Sequence, residues 1–172
     1  IELQVPGHHN LLNGAGVLAT GLKLGFGAAE LLTGLGTFRG TGRRFEIIGT
    51  VHGVRVIDDY GHHPTEIRVT LEAARRYAAD GRLIVIFQPH RYSRTKAFAS
   101  AFATVLDAAD HAIVLEVYAA SEKPIDGVTS KLITSKMKKG EYIPNFVEVT
   151  DSVIAMAQPG DVIMTLGAGD VS

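Results

Sequence analysis

The chain has 172 residues, of which 46% are hydrophobic and 20% charged, and its formal net charge is -1. That is the balance of an ordinary globular protein, with no global basic field to attract nucleic acid or an anionic membrane, and no apolar run approaches the roughly 20 residues that span a bilayer. Cysteine is absent, which excludes disulfides and thiolate metal sites and fits a reducing cytoplasm.

The chain opens on Ile1-Glu-Leu-Gln-Val5, with neither an initiator Met nor a basic-then-apolar leader, so a segment from within a longer protein is expected. Val5-Pro6-Gly7 signals a turn. Leu11, Ala15, Leu18 and Leu22 then recur at helical spacing and predict a helix over about 10–24. Gly25–Gly27 ends it, and a shorter helix is expected near 28–35. A domain boundary is placed in the glycine-rich stretch that follows, near Thr37–Arg44.

Arg44–Thr50 and Gly53–Asp58 are β-branched runs joined by His52-Gly53, a predicted hairpin. Pro64 suits the first turn of a helix whose apolar face is Ile67, Leu71, Ala74 and Ala78. Leu83–Phe87 is a short continuous apolar run, as expected of a buried parallel strand. The remaining predicted elements are a helix over 95–107, a strand at Ala112–Val117 and a helix over about 128–139. A short strand at Phe146–Val149, a short helix over about 151–157 and a last strand at Val162–Leu166 complete the pattern. This alternation predicts an α/β fold, an open and mostly parallel sheet with a β-hairpin at its start. Ligands of such sheets sit outside the carboxyl ends of the strands, where the densest polar clusters fall.

Asp58-Asp59-Tyr60-Gly61-His62-His63-Pro64-Thr65-Glu66 places two carboxylates, a phenol and two imidazoles on a loop entering a helix. Such groups accept from a ribose, hold a cation or bind phosphate; the bland alternative is that Asp59 and Thr65 cap the helix and the histidines are solvated. Gln88-Pro89-His90-Arg91-Tyr92-Ser93-Arg94-Thr95 sets two guanidinium forks beside a helix start, where free N–H donors also favour anions; surface arginines paired with nearby acids are the alternative. Pro6-Gly7-His8-His9-Asn10 either caps a helix through Asn10 or offers His9 and Asn10 to a nucleotide base. In Phe38-Arg39-Gly40-Thr41-Gly42-Arg43-Arg44-Phe45-Glu46, one arginine either reaches phosphate or is solvated on a linker. Tyr118–Lys123 and Gly167-Ala168-Gly169-Asp170 follow two further strands. No P-loop, His-Glu-x-x-His or Gly-x-Ser-x-Gly motif is present. Chemistry alone thus reaches an α/β domain with a site rich in Asp, His and Arg for an anionic ligand.

In this order and spacing the clusters resemble the Mur ligase family, and the Pro89–Thr95 segment is most similar to its L-alanine-adding branch. The resemblance implies that residues 1–38 are the tail of a central ATP-binding domain and 39–172 a C-terminal, Rossmann-like amino-acid-binding domain. The implied reaction joins the lactyl carboxylate of UDP-N-acetylmuramate to the amine of L-alanine, using ATP and Mg²⁺ and passing through an acyl phosphate, in the cytoplasm. It implies His9 and Asn10 near adenine, Arg44 near the ATP phosphates and Asp59 at the ribose. Arg91 and Arg94 would hold the L-alanine carboxylate or the reacting phosphate, with Tyr60, His62 and His90 on the amino-acid side and Arg91, Arg94 and His62 counted as catalytic. The main metal ligands are expected outside this chain, which alone is expected to be catalytically silent. Three rivals stand beside this: a metal-dependent hydrolase using Asp58, Asp59, His62, His63 and His90, a non-catalytic ligand-binding module, and a sister ligase that adds another amino acid or a peptide.

Overall fold

A computed structural model describes residues 3–5 and 7–171. Two helices come first, α1 (His8–Lys23) and α2 (Ala28–Thr37). Glycine lets them approach closely, for a Cβ on Gly21 would lie 2.6 Å from Leu31 Cδ2. Their outer faces are apolar and bare. Leu11, Leu12 and Leu22 of α1 and Leu32 of α2 are exposed, and α2 buries no residue.

Next come β1 (Glu46–Val51), β2 (Val54–Asp59), α3 (Pro64–Ala78), β3 (Leu83–Phe87), α4 (Tyr92–Leu106) and β4 (His111–Val114). They are followed by α5 (Lys131–Thr134), β5 (Glu141–Tyr142), α6 (Phe146–Met156) and β6 (Val162–Leu166). The six strands form one sheet in the order β1-β2-β6-β3-β4-β5, antiparallel only between β1 and β2. This is the open, mostly parallel sheet begun by a hairpin that the alternation of patterns predicts. Side chains of α3 and α4 pack with Ile57, Phe87 and Met164 of the strands. Those of α6, Val149 and Val153, pack with Ile84 and Ile113, which point the other way from the pleat. Phe87 and Phe102 are fully buried with ring centroids 5.1 Å apart; burial of each such side chain contributes about 1.5–3 kcal/mol. No helix among the described residues is long and apolar enough to cross a membrane.

Three elements differ from the sequence pattern. Phe146–Val149 is the start of α6, not a strand. Asn145 caps it, its side chain accepting from Glu148 N at 2.9 Å, and Val149 and Val153 are buried four apart while Val147 and Ile154 stay exposed. The strand in this region is the two-residue β5. The predicted helix over 128–139 is cut to the single turn α5, because Lys138 N and Lys139 N donate to Asp107 Oδ1 at 2.9 and 3.4 Å instead of to helix carbonyls. Strand β4 stops at Val114, after which the chain stays beside the segment that follows β3, with Leu115 N donating to Phe87 O at 2.9 Å and Tyr118 forming an isolated bridge with His90.

Candidate functional site

Because β2, β3, β4 and β6 run parallel, the loops that leave them emerge at one end of the sheet, and Arg43–Phe45, leading into antiparallel β1, reach the same end. The site there has two compartments. The first is a cleft of about 560 Å³ between α1, the 38–45 loop and α3, lined by His9, Asn10, Asn13, Phe38, Arg44, Asp59, Glu66 and Thr70 among others. His9 and Asn10 lie in the first turn of α1; Asn10 is not the cap, a position held by Gly7 with φ 103°. Asp59 is buried to 4% exposure. Its Oδ2 accepts from Phe45 N at 2.8 Å, and its Oδ1 accepts from Gly61 N at 2.8 Å and Thr70 Oγ1 at 3.4 Å. Burial pushes its carboxyl above the usual range, against the opposing pull of those donors and of the Arg44 charge.

The second compartment is an aromatic rim. Tyr60 meets His62 edge-on at 5.3 Å, His62 lies 5.6 Å from His90, and His90 stacks on Tyr118 at 5.7 Å. Arg94 Nη1 bonds His90 Nδ1 at 3.0 Å. Burial first, then the charges of Arg94, His62 and Arg91, hold the His90 imidazole below its ordinary pKa, against the weaker pull of Glu122. Arg91 is the exposed N-cap of α4 with φ 74°, a strained conformation fixed by its N–H bond to Tyr118 O at 2.8 Å.

Two groups join the compartments. The Arg44 guanidinium lies 5.4 Å from the Tyr60 ring centroid. Glu66 lines the cleft, and its Oε2 accepts from His62 N at 3.0 Å and His63 N at 3.2 Å and stands 3.6 Å from His62 Nδ1. Burial raises the Glu66 carboxyl, but those N–H donors and the charges of His62 and Arg44 outweigh it and hold it low.

The structure thus brings His9, Asn10, Arg44 and Asp59 together in the cleft, and Tyr60, His62, His90 and Arg94 together on the rim, with Arg91 at its outer edge. Several residues of the sequence clusters have other duties. Asp58, 1% exposed, takes Arg43 Nε at 2.8 Å and Thr165 Oγ1 at 2.5 Å. Arg43 also donates to Gly169 O at 2.7 Å and Gly167 O at 2.8 Å, so it clamps the last loop. The cap of α3 is neither Asp59 nor Thr65 but His63, whose Nδ1 accepts from Thr65 N at 3.3 Å in a capping box with Glu66. The N-terminus of α4 is covered by Glu122, which accepts from Ser93 N at 3.0 Å and Ser93 Oγ at 2.6 Å, so Ser93 N–H is not open to an anion. With Asp58 and His63 engaged in this way, the ligand set of the rival hydrolase does not assemble, and no group of three or more His, Asp or Glu among the described residues could hold a metal ion. Sequence reasoning missed Asn13 and Thr70 as lining residues, and held Glu66 and Tyr118 within its clusters without giving either a role. Asn13 was within reach, since it lies three positions after Asn10 on one helix face.

Residues 43–169 match the family model described as Mur ligase, glutamate ligase domain. Over 176 residues the chain is 49% identical to the UDP-N-acetylmuramate–L-alanine ligase of Mycobacterium marinum, covering 100% of this chain and 36% of that protein. It is 51% identical over 172 residues to the protein of the same name from Paenarthrobacter aurescens, covering 100% and 38%. The crystal structure of the UDP-N-acetylmuramate-alanine ligase from Thermotoga maritima superposes with a TM-score of 0.79 at 35% identity, over 98% of this chain and 36% of that one. The chain spans a little over a third of the length of these relatives. With a family model over most of its length, high identity to two ligases and the same sheet as a third, the chain belongs to the Mur ligase family.

Proposed function

We propose that the chain supplies the amino-acid side, and part of the nucleotide side, of an ATP-dependent ligase of peptidoglycan precursor synthesis. Its reaction joins L-alanine to the lactyl carboxylate of UDP-N-acetylmuramate. In this reading residues 39–172 are the amino-acid-binding domain and 1–38 the tail of a central ATP-binding domain, the whole enzyme acting in the cytoplasm. The observation that carries it is the continuity of cleft and rim through Arg44, Tyr60 and Glu66. It allows a phosphate end to meet an incoming amine. The bare apolar faces of α1 and α2 support the domain reading, since such stripes are normally covered.

The cleft fits a nucleotide: His9 and Asn10 beside the base, Arg44 toward the phosphates, and Asp59 at the ribose. Two carboxylate oxygens offer about four acceptor positions, and Asp59 uses three of them internally. Magnesium would neutralise phosphate charge; its main ligands fall to the rest of the enzyme. On the rim, Arg91 and Arg94 suit a carboxylate or phosphate, and the wall of Tyr60, His62 and His90 favours a small side chain. The carboxylate of UDP-N-acetylmuramate becomes an acyl phosphate, the amine attacks, and cations at the developing oxyanion lower the barrier, while closure of the two compartments supplies proximity.

Phosphate release by the full-length enzyme with UDP-N-acetylmuramate and ATP, against L-alanine, glycine, L-serine and D-glutamate, tests the reading. L-alanine is expected to give the highest kcat/KM; equal rates for all four would sink the substrate assignment, and full activity in Arg91→Ala would remove that residue.

A further inference from the structure

We infer that His62 and His90 are held in opposite tautomers, with His62 Nε2 the base that takes a proton from the attacking amine and His90 Nε2–H a fixed donor beside it. The inference rests on the ligase reading and deepens it. His62 Nδ1 lies 3.0 Å from the Tyr60 carbonyl oxygen. A carbonyl has no proton to give, so Nδ1 carries the hydrogen, and in the neutral ring the lone pair is left on Nε2. His90 Nδ1 lies 3.0 Å from Arg94 Nη1. A guanidinium only donates, so this nitrogen accepts and the ring hydrogen sits on Nε2.

The same contacts decide which ring takes up a proton. The groups facing His62 are Tyr60 from its own loop, Glu66 from α3 and His90 from the loop after β3. A proton arriving at His62 Nε2 leaves the bond to Tyr60 intact and puts positive charge 3.6 Å from Glu66 Oε2. A proton arriving at His90 Nδ1 breaks the bond to Arg94 and adds charge beside Arg94 and Arg91. Glu66 and the Tyr60 carbonyl therefore orient a base, the role a third group plays in catalytic triads, and His90 stays neutral.

In the reaction the substrate ammonium loses one proton to water. Its lone pair forms the C–N bond to the acyl carbon, the C–O bond to phosphate breaks, and phosphate leaves with the bonding pair. The surplus proton on nitrogen passes to His62 Nε2, and the imidazolium returns it to solvent.

Long-range ¹H–¹⁵N correlation of the histidine rings, at about pH 8 where unperturbed imidazoles are neutral, reads the tautomers without any turnover. Assignment uses His62→Asn, which keeps a donor near the Nδ1 position, and His90→Asn. His62 is expected to show a protonated Nδ1 and a bare Nε2, and His90 the reverse; the same tautomer in both rings overturns the inference. In the full-length enzyme His62→Asn is expected to lower kcat by about 10²–10⁴ with KM for the amino acid changed less than about threefold. Retained kcat overturns the base role even with the tautomers as expected. A wild-type enzyme whose phosphate release ignores amino acids would instead strike the ligase reading and leave the tautomer result standing.

Discussion

Arg43 and Arg44 are neighbours in sequence with opposite roles, and separating them is a stringent check on the geometry. Arg43→Ala removes three hydrogen bonds, to Asp58, Gly167 and Gly169, and leaves the Asp58 carboxylate with Thr165 Oγ1 as its remaining hydrogen-bond partner. Breaking a buried ion pair costs about 3–5 kcal/mol. The Arg43 side chain is 28% exposed, so water recovers part of this and the loss is placed at about 2–4 kcal/mol. For a chain of this size that is a fall in Tm of roughly 4–16 °C. Arg43→Lys keeps the charge but not the fork, and is expected to recover less than half. Arg44 is exposed and shares the Tyr60 ring with Arg43, each guanidinium 5.4 Å from its centroid, while facing the charges of the cleft; such a contact is worth about 0.5–1 kcal/mol, so Arg44→Ala is expected to lower Tm by less than about 4 °C. In the full-length enzyme, Arg44→Ala is expected to raise KM for ATP by about 10–100-fold, the equivalent of one charged hydrogen bond. Thermal unfolding of the chain and ATP kinetics of the enzyme read the two effects. An Arg43→Ala protein as stable as wild type, or an Arg44→Ala protein as damaged as Arg43→Ala, would refute the reasoning.

Gly169→Ala would place a Cβ 2.4 Å from Gln88 Oε1 and 2.8 Å from Tyr118 Cγ; it is expected to cost about 1–3 kcal/mol and to raise KM for the amino acid by disturbing the Tyr118–His90 stack, and an unchanged Tm and KM would contradict this. Asp161 is held below its ordinary pKa by its bonds from Arg82, which outweigh burial, and Asp110 is likewise held low by Leu83 N–H and Arg75 despite burial. Carboxylates depressed in the folded state stabilise above their unfolded pKa and lose that contribution as pH falls through the folded value. Tm should therefore hold at neutral pH and drop below about pH 4, and Asp161→Asn should flatten that drop; an identical acid limb in the variant would show that Asp161 plays no part. At the alkaline end, burial first and then Glu116 push the Tyr142 hydroxyl up to about 12. Its contribution is present below the unfolded value near about 10 and lost as pH rises toward the folded one, so Tyr142→Phe should be less alkali-sensitive in urea titrations than wild type.

The parallel sheet was readable because β3 is an unbroken apolar run and β6 is apolar except at Thr165, and an interior strand has little choice but to be buried on both faces. The helix at Phe146 was not, because β-branched residues dominate its first turn and local propensity pointed to a strand until Asn145 and the spacing of Val149 and Val153 overrode it. The convergence of the polar loops follows from topology, and this part of the site was accessible from spacing. The division of labour within each cluster was not. Asp58 and Asp59, Arg43 and Arg44, and His62 and His63 are identical neighbours in sequence. One member of each pair faces a compartment while the other ties loop, strand or helix, a distinction set by register and by partners distant in the chain. The wall formed by Tyr118 and the cover that Glu122 places over α4 depend on the segment after β4 staying beside His90, which no local pattern encodes.

A crystal structure of the full-length enzyme with its amide product and a non-hydrolysable ATP analogue would show where the amino acid lies. The alanyl carboxylate is expected within hydrogen-bond distance of Arg91 or Arg94, with the new amide nitrogen facing His62 and the nucleotide beside Asn10, Arg44 and Asp59. A product bound away from the Tyr60–His62–His90 rim, with both arginines facing solvent, would contradict the assignment of this end of the sheet.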